Sequence, residues 1–273
     1  MIATAQTALM REKRRLLILG GTGEAATLAR EAHGRFGARL HVVTSLAGRT
    51  REPAALAGET RIGGFGGAVA LAEYLRGEAI DLVVDATHPF AAKISAAARI
   101  ACEAADVPRL VLARPVWRPQ AGDRWIEAAD AVAAAALVPE FGTRVFLTVG
   151  RRDLAAFAGL PGCRFLIRLV ELPPEPPPFR PGSFELVIAR GPFTADAERA
   201  LMSRHGIDVV VAKASGGAAT EAKLIAAREL NRPVIMLRRP PAEPGQVAER
   251  IDEALQWIER ALDGLDAAAR KVK

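Results

Sequence analysis

The sequence has little cysteine, no long apolar run and few aromatic residues, and each shortage removes a class of function. Its two cysteines, Cys102 and Cys163, stand alone in apolar surroundings with no Cys-x-x-Cys or histidine-rich spacing. That pattern implies no metal site and fits a reducing cytoplasm. No stretch approaches the ~18 consecutive apolar residues of a membrane helix. The longest runs, such as 16–19 and 209–212, have the length of strands. The mildly apolar start is followed, not preceded, by the basic group Arg11-Glu12-Lys13-Arg14-Arg15, the reverse of a secretory signal, so residues 1–13 read as a loose tail. Aromatics make up 5% of the chain and the basic residues fall at turns, which argues against a nucleic-acid surface built from stacking platforms. Serine-hydrolase chemistry lacks its Gly-x-Ser-x-Gly elbow, and of four histidines only His88 stands in a motif-like setting.

What is present is an alternation of strand and helix signals over 273 residues, half of them hydrophobic. Short apolar runs at 16–19, 40–43, 80–84 and 110–112 alternate with helical patterns at 24–35, 68–75 and 90–105. That spacing indicates βαβ units and parallel sheets. Two prolines and a glycine in 114–123 interrupt it, which places a domain boundary there. The alternation then resumes, with a helix at 128–137 and strands at 145–149, 165–169, 186–189, 209–212 and 234–237. The expected architecture is therefore two Rossmann-like α/β domains with parallel sheets and a cleft between them. Residues 1–117 form the first domain and 118–273, with a final helix at 247–262, form the second. The proline-rich segment 172–179 reads as a stiff extended loop, open to a lid or docking role, and 270–273 as a solvated end.

The first chemical signal is Gly20-Gly21-Thr22-Gly23-Glu24, which leaves a strand and opens a helix. Glycine lets a backbone approach a pyrophosphate, and a helix N-terminus offers unpaired N–H groups and a positive dipole end. A strand-to-helix turn that needs glycine only for its backbone angles is the plainer reading. At the end of the second strand, Thr44-Ser45-Leu46-Ala47-Gly48-Arg49 carries no acid where an NAD-binding domain places one on the ribose. Hydroxyls and the fork of Arg49 suit a 2′-phosphate, so NADPH is expected over NADH. A third cluster, Asp85-Ala86-Thr87-His88-Pro89-Phe90, follows another strand. Pro89 suits a first helical position, Thr87 or His88 a cap, and His88 a neutral hydrogen-bonding role beside a cofactor.

In the second half, Thr148-Val149-Gly150-Arg151-Arg152-Asp153 and Lys213-Ala214-Ser215-Gly216-Gly217 repeat the strand-glycine-cation pattern, and Arg190-Gly191-Pro192 adds a third cation. With a net charge of +6, these turns point to an anionic ligand.

Taken together, the motifs beginning at Ile18, Asp85 and Lys213 make the sequence resemble the precorrin-6A reductases of cobalamin biosynthesis over about 16–240. The resemblance implies an NADPH-dependent cytoplasmic oxidoreductase that reduces one double bond of the tetrapyrrole precorrin-6A to give precorrin-6B. It implies cofactor contacts from Gly20 to Glu24, Thr44, Ser45, Arg49, Thr87, His88 and Pro89. The substrate's carboxylates would meet Phe90, Gly150, Arg151, Arg190, Lys213, Ser215, Gly216 and Gly217, with His88 and Lys213 as candidate catalytic residues. A non-catalytic NADPH sensor and a nucleic-acid binder are the competing readings.

Overall fold

The computed structural model describes residues 13–48 and 56–271. The chain divides into two compact units, Met1–Arg114 with Pro240–Lys273, and Pro115–Arg239.

The first unit is a six-stranded parallel sheet built from β1 (Arg14–Leu19), β2 (Leu40–Leu46), β3 (Glu59–Ile62), β4 (Leu82–Asp85), β5 (Arg109–Leu112) and β12 (Gln246–Ala248). Its spatial order is β3-β2-β1-β4-β5-β12, with every pairing parallel. That is the doubly wound order of dinucleotide-binding sheets, in which the direction of winding reverses between β1 and β4. The central strands are apolar because both faces are covered. Leu16, Ile18, Val42 and Val84 pack under α1 (Gly23–Phe36) and α7 (Ile251–Lys271). Leu17, Leu19, Val43 and Val83 pack under α2 (Ala68–Gly77) and α3 (Ala92–Ala105). Thr22 starts α1 by accepting a hydrogen bond from the Ala25 N–H (3.1 Å).

The second unit orders its strands β9-β8-β7-β10-β11-β6, again all parallel. They are β6 (Trp125–Ala128), β7 (Arg144–Leu147), β8 (Arg164–Leu169), β9 (Phe184–Ile188), β10 (Val209–Lys213) and β11 (Val234–Leu237). Counted from β7, this is the same layout with the far edge strand supplied from the start of the unit. The reversal lies between β7 and β10. One face, with Phe146, Leu166, Val210 and Met236, packs on α5 (Ala195–Arg204) and α6 (Ala222–Glu229). The short α4 (Ala131–Leu137) packs against β6 and β11, and its N-cap Asp130 accepts from the Ala133 N–H (2.9 Å).

Several expectations need correction. The span 118–273 is not one domain, since Pro240–Lys273 belongs to the first unit. The reason is burial: Ala254, Leu255, Ile258 and Leu262 of α7 complete the core over α1, and β12 pairs with β5. The final helix runs Ile251–Lys271, beyond the expected end at 262, so the exposed Arg270 lies in its last turn, while 272–273 fall outside the described residues. Strands β3, β6 and β12 lie outside the sequence-based assignment, and α3 starts at Ala92 with Ala91 as its N-cap, so Pro89 is not its first residue and neither Thr87 nor His88 caps it. The proline-rich segment carries no helix or strand, and its Phe179 is buried against Phe165 and Phe184 (ring centroids 4.8 and 5.8 Å). Residues 1–12 of the expected tail fall outside the described residues.

Candidate functional site

At the reversal point of the first unit, the last residues of β1 and β4, Leu19 and Asp85, are register partners. Gly20-Gly21-Thr22-Gly23 leaves β1 at that point and runs into α1. Two of its glycines are demanded by the protein itself. A Cβ on Gly20 would lie 2.9 Å from Thr44 Cγ2, and Gly21 has φ +101°, a conformation that disfavours side chains. Gly23 is different: a Cβ there meets nothing within 4 Å. Thr22 secures the turn from both sides, since its hydroxyl also donates to the Ala86 carbonyl (2.7 Å) at the end of β4. Glu24, in the first helical turn, would oppose an anion, but its carboxylate is neutralised by Arg114 (2.6 Å). The cradle thus keeps the N–H groups and dipole of the helix start without a competing negative charge.

The Asp85 cluster is tied largely to itself. The Asp85 side chain is buried, and its Oδ1 accepts from the Thr87 N–H (3.2 Å) and hydroxyl (2.7 Å). Ser95 Oγ lies 3.2 Å from the same Thr87 hydroxyl, whose one proton is committed to Asp85, so Ser95 donates. His88 Nδ1 accepts from the Phe90 N–H (3.2 Å), which places the ring proton on Nε2. Its ring packs against that of Phe90 (5.8 Å). At the end of β2, Thr44 and Ser45 are both buried. Thr44 Oγ1 finds no hydrogen-bond partner among the described residues, while Ser45 Oγ accepts from Arg61 (3.3 Å). Arg49 lies outside the described residues.

The second unit repeats the arrangement at its own reversal point. Lys213 ends β10 and reaches Asp153, just beyond β7, at 2.6 Å. A Cβ on Gly150 would stand 3.5 Å from the Lys213 ammonium nitrogen, an ordinary van der Waals contact, so this glycine borders the pair without being required by it. The loop after Lys213 is held by its carbonyl groups. Arg239 donates to the carbonyls of Ala214 (3.1 Å) and Ser215 (2.6 Å), Trp117 Nε1 donates to Gly217 (3.2 Å) and Lys223 donates to Thr220 (2.6 Å). Gly216, at φ +68°, admits no side chain, because a Cβ would come within 2.1 Å of the Pro115 carbonyl oxygen. Burial pushes the Lys223 ammonium down to about 8. Its neighbourhood holds a second buried pair, Arg168 with Glu198 (2.7 Å), the guanidinium lying over the rings of Phe146 and Phe193. Arg151 and Arg190 are exposed beyond the carboxyl ends of β7 and β9.

The structure therefore gathers Gly20–Glu24, Thr44, Ser45 and His88 at one carboxyl edge, and Gly150, Lys213, Ser215, Gly216 and Gly217 at the other unit's equivalent edge. Sequence reasoning did not find Arg61, Arg114, Trp117, Asp153, Lys223 or Arg239 as participants. Asp153 stands three residues after Gly150 and Arg61 heads the glycine-dense Gly63-Gly64-Phe65-Gly66-Gly67, so each had a local signal. Both cysteines are buried free thiols, and burial raises Cys102 to about 12, far from nucleophilic use. No helix among the described residues is long and apolar enough to cross a membrane.

Comparison with known proteins agrees with this geometry. The family model described as "Precorrin-6x reductase CbiJ/CobK" matches residues 15–259. A precorrin-6A reductase of Rhodococcus erythropolis is 49% identical over 245 residues, covering 89% of this chain and 97% of the relative. One of Rhodobacter capsulatus is 44% identical over 244 residues, covering 89% and 95%. The solved structure described as "CobK precorrin-6A reductase" superposes with a TM-score of 0.85 at 43% identity, covering 91% of this chain and 97% of the other. With two doubly wound sheets, a glycine cradle at one reversal point and a lysine-glycine loop at the other, the chain belongs to the precorrin-6x reductase CbiJ/CobK family.

Proposed function

We propose that this chain is a precorrin-6A reductase of cobalamin biosynthesis that uses NADPH, yields precorrin-6B and works in the reducing cytoplasm. The observation that carries the reading is the cradle at Gly20–Gly23, where open space at Gly23 coincides with the helix start, a neutralised Glu24 and the winding reversal of the sheet.

The residues present fit a dinucleotide. The N–H groups of Gly21 to Glu24 meet the pyrophosphate, and the absence of an acid at the end of β2 leaves Thr44, Ser45 and Arg49 to receive a 2′-phosphate. His88 presents its Nε2–H, and with Pro89 it borders the cofactor beside β4. The Thr87 hydroxyl serves Asp85 and shapes this wall from behind. When bound, the reduced nicotinamide supplies a hydride.

The second unit receives the macrocycle's carboxylates. Arg239, Trp117 and Lys223 hold carbonyl oxygens of the loop and the Ser215 N–H is spent on the Lys213 carbonyl (2.7 Å), so the amides of Gly216 and Gly217, with the Ser215 hydroxyl, are the groups offered to an anion. Lys213, oriented by its ion pair with Asp153, offers its ammonium N–H groups to a carboxylate, and Gly150, Arg151 and Arg190 of the same unit complete its substrate contacts. Holding a conjugated, electron-poor ring system in alignment supplies most of the acceleration of a hydride transfer. Of the two candidate catalytic residues, Lys213 acts on substrate charge, and His88 orients the cofactor.

The test is anaerobic oxidation of NADPH with metal-free precorrin-6A and, separately, with its cobalt complex, with NADH as the alternative reductant. Oxidation dependent on a macrocycle, with NADPH favoured, is expected. A failure of both macrocycles to drive oxidation, or equal use of NADH, overturns the assignment.

A further inference from the structure

Arg61, like Arg76 and Arg109, is an arginine of the first unit held by neutral groups rather than by a carboxylate. Arg14, Arg15, Arg39, Arg99 and Arg114 each pair with a carboxylate. Arg61 has neutral partners instead: it donates to the carbonyls of Gly63 (2.6 Å) and Gly64 (3.1 Å) and to Ser45 Oγ (3.3 Å). Its guanidinium lies over the ring of Phe65 at 3.9 Å and near that of Tyr74 at 5.1 Å, and those two rings meet edge to face (5.1 Å). Among the described residues no carboxylate pairs with it. A guanidinium held by carbonyls and π faces keeps its full positive charge, and its position is set before any ligand arrives.

Its place in the sheet gives that charge a use. Asp85, Leu19, Ser45 and Arg61 are register partners across β4, β1, β2 and β3, so they form one row at the carboxyl edge. Leu19 feeds the glycine cradle directly. Arg61 stands two strands away, roughly 10 Å at the usual strand spacing. In this topology the adenosine ribose extends from the cradle over the end of β2, where an arginine accommodates a 2′-phosphate. These three hydrogen bonds use three of five guanidinium N–H groups, leaving two for a phosphate oxygen.

We propose that Arg61, carried on β3 and stacked on Phe65, is a specificity-determining residue that selects the 2′-phosphorylated dinucleotide. The proposal rests on the reading of the first unit as a nicotinamide-dinucleotide site. It assigns the Gly63-Gly64-Phe65-Gly66-Gly67 loop as the support that aims the guanidinium.

Calorimetric titration of wild-type protein, Arg61→Ala and Arg61→Lys with NADP⁺, NAD⁺ and 2′,5′-ADP tests it. Arg61→Ala is expected to weaken NADP⁺ and 2′,5′-ADP by about 10- to 100-fold, the range for losing hydrogen bonds to a charged group, with NAD⁺ affinity within about twofold of wild type. Arg61→Lys keeps the charge but loses the fork and falls between. Unchanged NADP⁺ affinity in Arg61→Ala overturns the proposal, as does an equal loss for NADP⁺ and NAD⁺, which would make Arg61 a loop fastener alone. Wild-type protein that binds neither dinucleotide defeats the cofactor reading itself, a result distinct from tight wild-type NADP⁺ binding that the variants retain.

Discussion

Replacing Gly23 by alanine separates what the fold requires from what a ligand requires. Gly23 is the first residue of α1, its φ is not in the left-handed region, and a Cβ there meets nothing within 4 Å. The free protein therefore has room for the methyl group. Gly→Ala at a compatible helical position stabilises by about 0.4–1 kcal/mol, mainly by restricting the unfolded chain. For a chain of this size that corresponds to a rise in Tm of roughly 1–4 °C. Cofactor binding responds in the opposite sense. A methyl carbon keeps phosphate oxygens at van der Waals distance, so N–H···O bonds of about 2.9 Å cannot form around it. Losing one such charge-assisted bond costs about 1.5–3 kcal/mol, or about 10- to 100-fold in NADPH affinity. Thermal melts and NADPH titration on the same preparation measure both. Gly20→Ala is the contrast: its Cβ would press on Thr44 Cγ2 at 2.9 Å, so it is expected to lower Tm. Wild-type NADPH affinity in Gly23→Ala would refute the reasoning, because the open space would then not be where the pyrophosphate lies.

Three further outcomes follow from the second unit. Lys213→Ala is expected to raise the KM for the macrocycle about tenfold, the cost of a lost hydrogen bond to a charge, with NADPH affinity close to wild type; steady-state kinetics that match wild type would remove Lys213 from the substrate site. Glu198→Ala leaves Arg168 buried without its carboxylate and is expected to cost about 3–5 kcal/mol in urea denaturation, whereas Arg168→Met with Glu198→Leu recovers most of it; no recovery in the double variant would contradict this account. Lys223 titrates at about 8 in the fold against 10.5 for the ordinary ammonium, because burial disfavours the charged form. Between those values the unfolded chain holds the proton that the folded chain has released, so stability contributed by this group rises from pH 8 to pH 10.5. Below pH 8 the buried ammonium costs about 3 kcal/mol relative to the alkaline limit. The stability of Lys223→Met relative to wild type is therefore expected to fall by that amount between pH 7 and pH 10.5, and a pH-independent difference would count against it.

Much of the fold could be read from local pattern because the central strands are buried on both faces. Runs such as Leu16-Leu17-Ile18-Leu19 and Val209-Val210-Val211-Ala212 carry no polar residue, and each is followed by glycine or lysine at a carboxyl end. The edge strands escaped for the converse reason. Glu59–Ile62 is almost wholly polar and mostly exposed, and Gln246–Ala248 is three residues long, so neither has a run or a period to detect. The cap expected near Pro89 is displaced because the chain first makes a turn, closed by the Ala91 N–H on the His88 carbonyl (2.7 Å), before the helix begins at Ala92.

The sequence by itself determined that two doubly wound parallel sheets form and that glycine-rich turns stand at strand ends. Those features depend on residues adjacent in the chain, whose burial and backbone freedom are local properties. Tertiary structure alone decided that β12 and α7 complete the first unit and that the two turns of the second unit meet as the pair Lys213–Asp153. It also decided that Arg61 lies in one row with Ser45 and Leu19. Each of those outcomes needs a partner from a distant part of the chain: Leu110–Leu112 for the edge strand, the α1 core face for the last helix, a neighbouring strand for each charge. Register across a sheet and the pairing of buried charges are set by long-range packing, and the order of residues along one segment does not encode them.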